Sequence, residues 1–416
     1  MQKHRLSQKP EIISLMTTLE DVADPRVDRS KDHDWVDLLV IALCTILVGG
    51  DSFYDMEEFA EVRLSWLKTF LRLRNGAPSH DTFNRVFQAL DERQLADSLS
   101  RWTQSVRSLL GGEVVALDGK SVRRALNRGE DFQVIVSAWA TESGLLLGQR
   151  KVRDKSNEIT VVPELLQALE LAGCIVTADA MHCQKSIAKE IIEADADYVL
   201  ALKGNQGTAF AEVKSFLDDA VSRADKALVK LETVEKGHGR LETRRYWQTE
   251  QVSWYADRDQ WEGLRSVGLV ESVREINGQR SVERRYYLSS LSADIQRFAK
   301  AVRGHWSIEN QLHWVLDVVF GEDQARARTE HATENLAAMR RLAVNLLRKD
   351  KLCKRSIKGK LMRAAIDPDY LRHLLTILRC VSPVFVRVRA CRRFRIGIFF
   401  QVHGQKVCGN LGMPFP

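Results

Sequence analysis

This 416-residue sequence predicts a mixed α/β protein: an α/β core preceded by an all-helical segment and interrupted by a β-rich insertion. Three observations carry that expectation. Apolar residues recur at helical spacing through the first 110 positions; from Gly111 the spacing changes to strand-like runs; beyond Pro163 strand and helix signals take turns. In the helical segment the periodic stretches are Glu11–Leu19, Trp35–Val48, Tyr54–Leu73, Thr82–Leu90 and Gln94–Leu110. Breaks fall at Asp24-Pro25, Gly49-Gly50-Asp51 and Asn75-Gly76-Ala77-Pro78. Ser79 is placed to cap one helix, and Asp91 with Gln94 resembles a capping box for the next.

The core begins with three β-rich runs, Glu113–Leu117, Phe132–Ala140 and Leu145–Val152, the last two close enough to form a hairpin. A helix over Pro163–Leu171 follows, with proline in its first turn and Gly173 closing it. Then come a buried strand Cys174–Ala178, a helix from Gln184 to Ala194, and a buried strand Tyr198–Leu202. The order β-β-β-α-β-α-β is that of a ribonuclease H-like sheet, a hairpin followed by right-handed crossovers. Leu228–Val234, Leu241–Gln248, Val267–Val273 and Ser281–Ser289 alternate like strands and read as an insertion outside that sheet. The helix that completes the core arrives at Phe298–Val319, and helices continue through Thr333–Leu347. The expected divisions are residues 1–110, helical; 111–206, first part of the core; 207–292, insertion; 293–380, core completion; and 381–416, a basic tail without Asp or Glu, expected to be dispensable for the fold.

Composition excludes some classes. Hydrophobic residues at 44% and charged residues at 28% belong to a globular chain, not a disordered one. A net charge of +7 is a mild basic bias compatible with a polyanionic partner. The seven cysteines show no CxxC spacing, as expected of reduced thiols. The longest apolar run, Leu38 to Val48, is too short to span a bilayer, and the N-terminal residues lack a secretory pattern. The expected location is the cytoplasm, with no membrane partner.

Chemistry concentrates in three carboxylates. Asp118 directly follows the apolar run Val114–Leu117, and Asp179 directly follows Ile175–Ala178. Each should stand at the carboxyl end of a buried strand, where open α/β sheets build sites. With the strands adjacent, the two carboxylates converge. Glu309, between apolar neighbours on the last core helix, can reach the same point. Three hard oxygen donors without a thiolate suit Mg²⁺ or Mn²⁺, and two such ions could serve phosphodiester chemistry. The same helix admits another reading, since His305, Glu309 and His313 are spaced four apart, as zinc ligands on one helix face can be. It lacks the His-Glu-x-x-His spacing. Basic residues surround the acids: Lys120, Arg123, Lys185, Lys203, Arg303, Arg326 and Arg328, with His238 and Arg240 in a turn of the insertion. Beside a metal centre these, with His305, would meet the phosphates of a DNA duplex.

Several segments, in this order, resemble the DDE transposases of bacterial insertion sequences, of the H-repeat-associated type. They include Ala116-Leu-Asp-Gly-Lys-Ser121, Lys155-Ser-Asn-Glu-Ile159, Thr177-Ala-Asp-Ala-Met181, Leu202-Lys-Gly-Asn-Gln206, His238-Gly-Arg240, Arg285-Tyr-Tyr287, His305-Trp-Ser-Ile-Glu-Asn310 and Leu312-His-Trp314. Asp24-Pro-Arg26 and Pro78-Ser-His-Asp-Thr82 resemble the family's associated helical domain. The resemblance implies Asp118, Asp179 and Glu309 as the catalytic triad and a divalent metal cofactor. It implies the element's terminal inverted repeats and target DNA as double-stranded substrates, with a homodimer acting on them. Where broader relatives carry Tyr, Arg and Lys around the last Glu, this chain holds Val302, His305 and Leu316. A nuclease without strand transfer, a domesticated derivative, and a non-catalytic DNA-binding repressor are the competing functions.

Overall fold

The computed structural model describes residues 15–26, 31–106, 112–122, 133–152, 158–237, 240–325, 327, 331–377, 400–402 and 405–407. It divides into two compact units, residues 1–380 and 381–416. In the second, Phe400–Val402 and Gln405–Val407 pair antiparallel; the rest of the basic tail lies outside the described residues.

The first unit opens with helices α1 (Leu15–Glu20), α2 (Trp35–Leu47), α3 (Phe53–Val62), α4 (Leu64–Leu67), α5 (His80–Ala89) and α6 (Glu92–Val106). Short polar side chains start them. Asp34 caps α2, and Ser52 and Asp55 form a reciprocal capping box on α3. Ser79 caps α5, and Asp91 Oδ1 accepts from the amides of Arg93 and Gln94, both at 2.9 Å. Gln94 does not close a box; its side chain accepts from the amide of Ala23. The single helix expected over Tyr54–Leu73 breaks at Arg63, which leaves helical geometry and restarts the chain as α4.

The sheet has nine strands: β1 (Val114–Val122), β2 (Gln133–Ala140), β3 (Leu145–Val152), β4 (Ile175–Ala178), β5 (Asp197–Leu202), β6 (Val229–Gly237), β7 (Arg240–Thr249), β8 (Ser266–Ile276) and β9 (Gln279–Ser289). Their spatial order is β3-β2-β1-β4-β5-β9-β8-β7-β6. Between strands lie α7 (Glu158–Gln167), α8 (Lys185–Glu193) and α9 (Gly207–Ser222); after β9 come α10 (Ile295–His305), α11 (Trp314–Val318), α12 (Ala332–Lys349), α13 (Ile357–Ile366) and α14 (Pro368–Thr376). Strands β1, β4 and β5 are parallel and buried, and β2 and β3 extend them antiparallel. Alternation assigns the faces. Val115, Leu117, Val176 and Leu200 pack beneath α7, α8 and α9, whereas Val114, Ile175, Val199 and Tyr287 meet Phe298 and Val302 of α10.

Three expectations are corrected here. Residues 207–222 form helix α9, and β6–β9 lie within the core sheet, with β9 antiparallel to β5. The physical reason is the open edge of β5, whose unpaired N–H and C=O groups need a partner. Pro163 sits inside α7, not in its first turn, because that helix begins at Glu158. Nor is residue 110 a packing boundary. One apolar core joins α1–α6 to α12–α14, and all of α2 is buried. Buried amides set this docking. Asn345 on α12 donates to Leu146 O and Thr103 Oγ1 and accepts from the Leu146 amide, while Asn335 donates to the carbonyls of Phe87 and Leu90.

Candidate active site

The parallel pairing of β1 with β4 ends at the rung Leu117–Ala178. The next residue on each strand is Asp118 or Asp179. The sheet's alternation turns both toward α10, on the face of Val114 and Ile175. Strand β1 itself continues to Val122, so Asp118 lies inside a strand rather than after one. Its parallel neighbour stops, and that opens a cavity beside it. Asp118, Asp179, Lys203, Arg285, His305 and Glu309 all line this cavity.

Glu309 is not on a continuous helix. Helix α10 ends at His305, and Glu309–His313 form a π-helical turn, closed by the amide of Trp314 donating to Glu309 O. Such a turn re-aims side chains by inserting a residue into the helical register. Of the expected zinc stripe, Glu309 and His313 cluster with Asp118, and His305 is not in that donor group. His305 Nδ1 lies 3.0 Å from Thr177 Oγ1 on β4, and burial pushes its pKa down to about 4. His313 turns inward, with Nδ1 3.4 Å from Asp118 Oδ2 and 3.8 Å from Glu309 Oε2.

The carboxylates have different surroundings. Burial raises the Asp118 pKa to about 7, with Glu309 and Asp179 adding to the rise and His313 opposing it. Burial acts upward on Asp179 too, but hydrogen bonds from His182 hold it below the usual aspartate value; His182 Nδ1 is 2.9 Å from Asp179 Oδ1. Glu309, half-exposed, is lowered chiefly by the neighbouring His313. A buried carboxylate disfavoured by two neighbouring anions lacks positive charge, which is the condition a bound cation relieves. Donor atoms of Asp118, Glu309 and His313 lie within 4.8 Å of one another, spacing that suits ligands about 2.0–2.6 Å from one ion. The Nε2 of His313 is buried without a hydrogen-bond partner among the described residues. The residues present fit a divalent metal.

The basic residues expected at the site divide. Lys203 is exposed and lines the cavity. Lys120 is buried, 2.6 Å from Asp317, 3.1 Å from Asp323 and 3.4 Å from Glu322, and is not available to DNA. Lys185 is held by Asp257 and Gln260, and Arg303 by Glu235. Arg240 stands on β7, away from the carboxylates and 4.0 Å from Glu242. Arg123, His238, Arg326 and Arg328 lie outside the described residues. His182, which orients Asp179, was not singled out from the sequence, and Arg285, stacked 4.6 Å from the ring centroid of Trp306, entered only within the family-like segment Arg285-Tyr-Tyr287, without a role. For Arg285 the signal was present, because it shares strand parity with Tyr287, but the pairing of β9 with β5 was needed to use it.

The chain thus presents carboxylates from two neighbouring strands and the turn after α10 at one cavity of a mixed α/β sheet. It belongs to the Transposase DDE domain family, matched over residues 110–346, and residues 16–103 match the DDE_Tnp_1-associated domain. The DDE domain implies divalent-metal dependence. Among named relatives, "Putative transposase YncI" of Escherichia coli O157:H7 is 37% identical over 379 residues, covering 88% of this chain and 95% of that protein. "H repeat-associated putative transposase YhhI" of Escherichia coli K12 is 34% identical over 88% of this chain and 98% of its own length. A protein of Xanthobacter autotrophicus, named only by its position in the dhlA 3' region, is 43% identical over 66% of this chain and 94% of itself. Among the described residues no helix is long and apolar enough to cross a membrane.

Proposed function

We propose that this chain cuts DNA at the ends of a mobile element and joins them to target DNA, with Asp118, Asp179 and Glu309 as the catalytic carboxylates on a ribonuclease H-like core. The observation that carries this reading is the meeting of all three in one cavity, from two adjacent parallel strands and the π turn after α10. Asp118 and Glu309, with His313 as a further donor, would hold one divalent cation, and Asp179 would share a second. Mg²⁺ or Mn²⁺ suits these mainly oxygen donors, and when bound would lower the pKa of an attacking water or 3′-hydroxyl and stabilise the leaving oxygen.

The chain's own residues do the rest. His182 fixes the rotamer of Asp179, so that aspartate need not reorganise when substrate arrives. Lys203, exposed at the rim, meets a phosphate. Partners in this reading are double-stranded element ends and target DNA, held by two copies of the chain.

The test incubates the protein with duplexes carrying its element ends and Mg²⁺ and maps nicks and joined products. Asp118→Asn, Asp179→Asn and Glu309→Gln should each abolish cutting while end binding stays within a few-fold of wild type. Wild-type cutting by any of them would remove that residue from the site. Cutting without joining would favour a nuclease, and end binding without cutting by the wild type would favour a repressor.

A further inference from the structure

Strand alternation builds a second feature on the α10 face. Arg240 and Arg244 of β7, Arg274 of β8 and Arg285 of β9 share one side of the sheet, and Arg303 of α10 closes over them, forming a groove. Three carboxylates on that side, Glu235, Glu242 and Glu283, pair with them. Five guanidiniums against three acids leave positive charge and unused N–H donors, since each guanidinium carries several. On the opposite face of the same strands Arg245 and Arg284 are shared among Glu232, Glu271 and Asp218. The groove continues into the cavity of the carboxylates, with Glu283, Arg285, Tyr287, Val302 and Trp306 lining both.

We propose that this arginine groove holds the phosphodiester backbone of the DNA strand adjoining the bond cut in the cavity, with Arg285 as the junction. The inference rests on the DNA-cutting reading above. Planar guanidiniums suit phosphate oxygens because two parallel N–H groups reach two oxygens at once. Arg285 is pre-organised for this by its stacking on Trp306, next to the turn that carries Glu309. Beneath the arginines, buried Tyr246 and Tyr287 and the Trp306 ring form the floor of the groove.

The test uses the full chain with Arg240→Gln and Arg274→Gln combined; both side chains are about half exposed, and Arg244 remains to pair with Glu242. Arg245→Gln with Arg280→Gln, on the opposite face and outside the lining of both groove and cavity, is the matched control. Binding of an end-bearing duplex is measured from about 50 to 200 mM salt. Each phosphate contact removed should flatten the slope of log K against log salt by about 1. The groove pair should therefore lose about 2 from the slope, and the control pair should keep it. Equal thermal midpoints for the two pairs would exclude misfolding as the cause. A groove pair with the wild-type slope, or a control pair that loses as much, overturns the proposal. If the wild type still cuts element ends in that case, only the groove fails. If the wild type neither cuts nor binds them, the DNA-cutting reading fails with it.

Discussion

Lys120→Met removes the cation at the centre of a buried ionic cluster. Lys120 is 6% exposed and lies within 3.4 Å of Asp317, Glu322 and Asp323, while Glu322, 1% exposed, also pairs with Arg341. Withdrawing one partner from a buried ion pair costs about 3–5 kcal/mol. The lower end applies here, because Glu322 keeps Arg341, and Asp317 and Asp323 are 34% and 29% exposed and can be hydrated. At an m-value of about 3 kcal/mol/M, a loss of about 3 kcal/mol moves the urea midpoint down by about 1 M. Tryptophan fluorescence during urea titration of the full chain reads this directly. Adding Asp317→Asn removes a carboxylate that has lost its cation, so the double variant should lose less than the sum of the singles, by about 0.5–3 kcal/mol. A midpoint shift below about 0.3 M, or strict additivity with Asp317→Asn, would refute this account.

Other perturbations follow the same logic. Burial acts to raise the Glu322 pKa, but Arg341, Lys120 and Arg340 outweigh it and leave it lowered. A lowered folded-state value means stability present above the unfolded glutamate pKa and lost as pH falls through the folded one. Glu322→Gln should therefore be less stable at pH 7 and show a flatter loss of thermal midpoint on acidification than wild type; parallel curves would contradict this. A Cβ at Gly268 would overlap the ring of Phe298, so Gly268→Ala should cost about 1–3 kcal/mol by displacing α10, read as a lower thermal midpoint. Asp91→Ala removes the acceptor for two amides of α6 and should cost about 1 kcal/mol in the same assay. Truncation after Cys380 should leave the thermal midpoint and DNA cutting unchanged, since residues 1–380 form a compact unit by themselves; loss of soluble protein would show that the tail contributes to the fold.

What the sequence revealed depended on the range of the interactions involved. Asp118 and Asp179 were legible because each follows a short apolar run, a local pattern, and because the strand after the β2–β3 hairpin returns to lie beside β1. Glu309 was legible as a helical acid among apolar residues, but the π turn that re-aims it was not, since no glycine or proline marks it. Lys120 was expected on the surface with DNA; its burial follows from Asp317, Glu322 and Asp323, about two hundred positions away in sequence. Left-handed backbone at Gly321 starts the turn that delivers Glu322, and a single Gly-Glu-Asp does not announce its partner. The sides taken by the arginines of β7–β9 required both strand parity and pairing order. Alternation supplied the first, whereas the second was misjudged when these strands were assigned outside the sheet.

The apolar core shared by α2 and α12 bears on how the chain is made. Helix α2 is buried along its whole length, yet α12, which packs against it, lies about 300 residues later. At about 5–20 residues per second of synthesis, the first helices wait roughly 15–60 s before that partner emerges. During this interval a thirteen-residue apolar segment lacks its eventual cover. The nascent chain is then a client for whatever binds exposed hydrophobic stretches near the ribosome, and the completed carboxylate site is among the last parts to form.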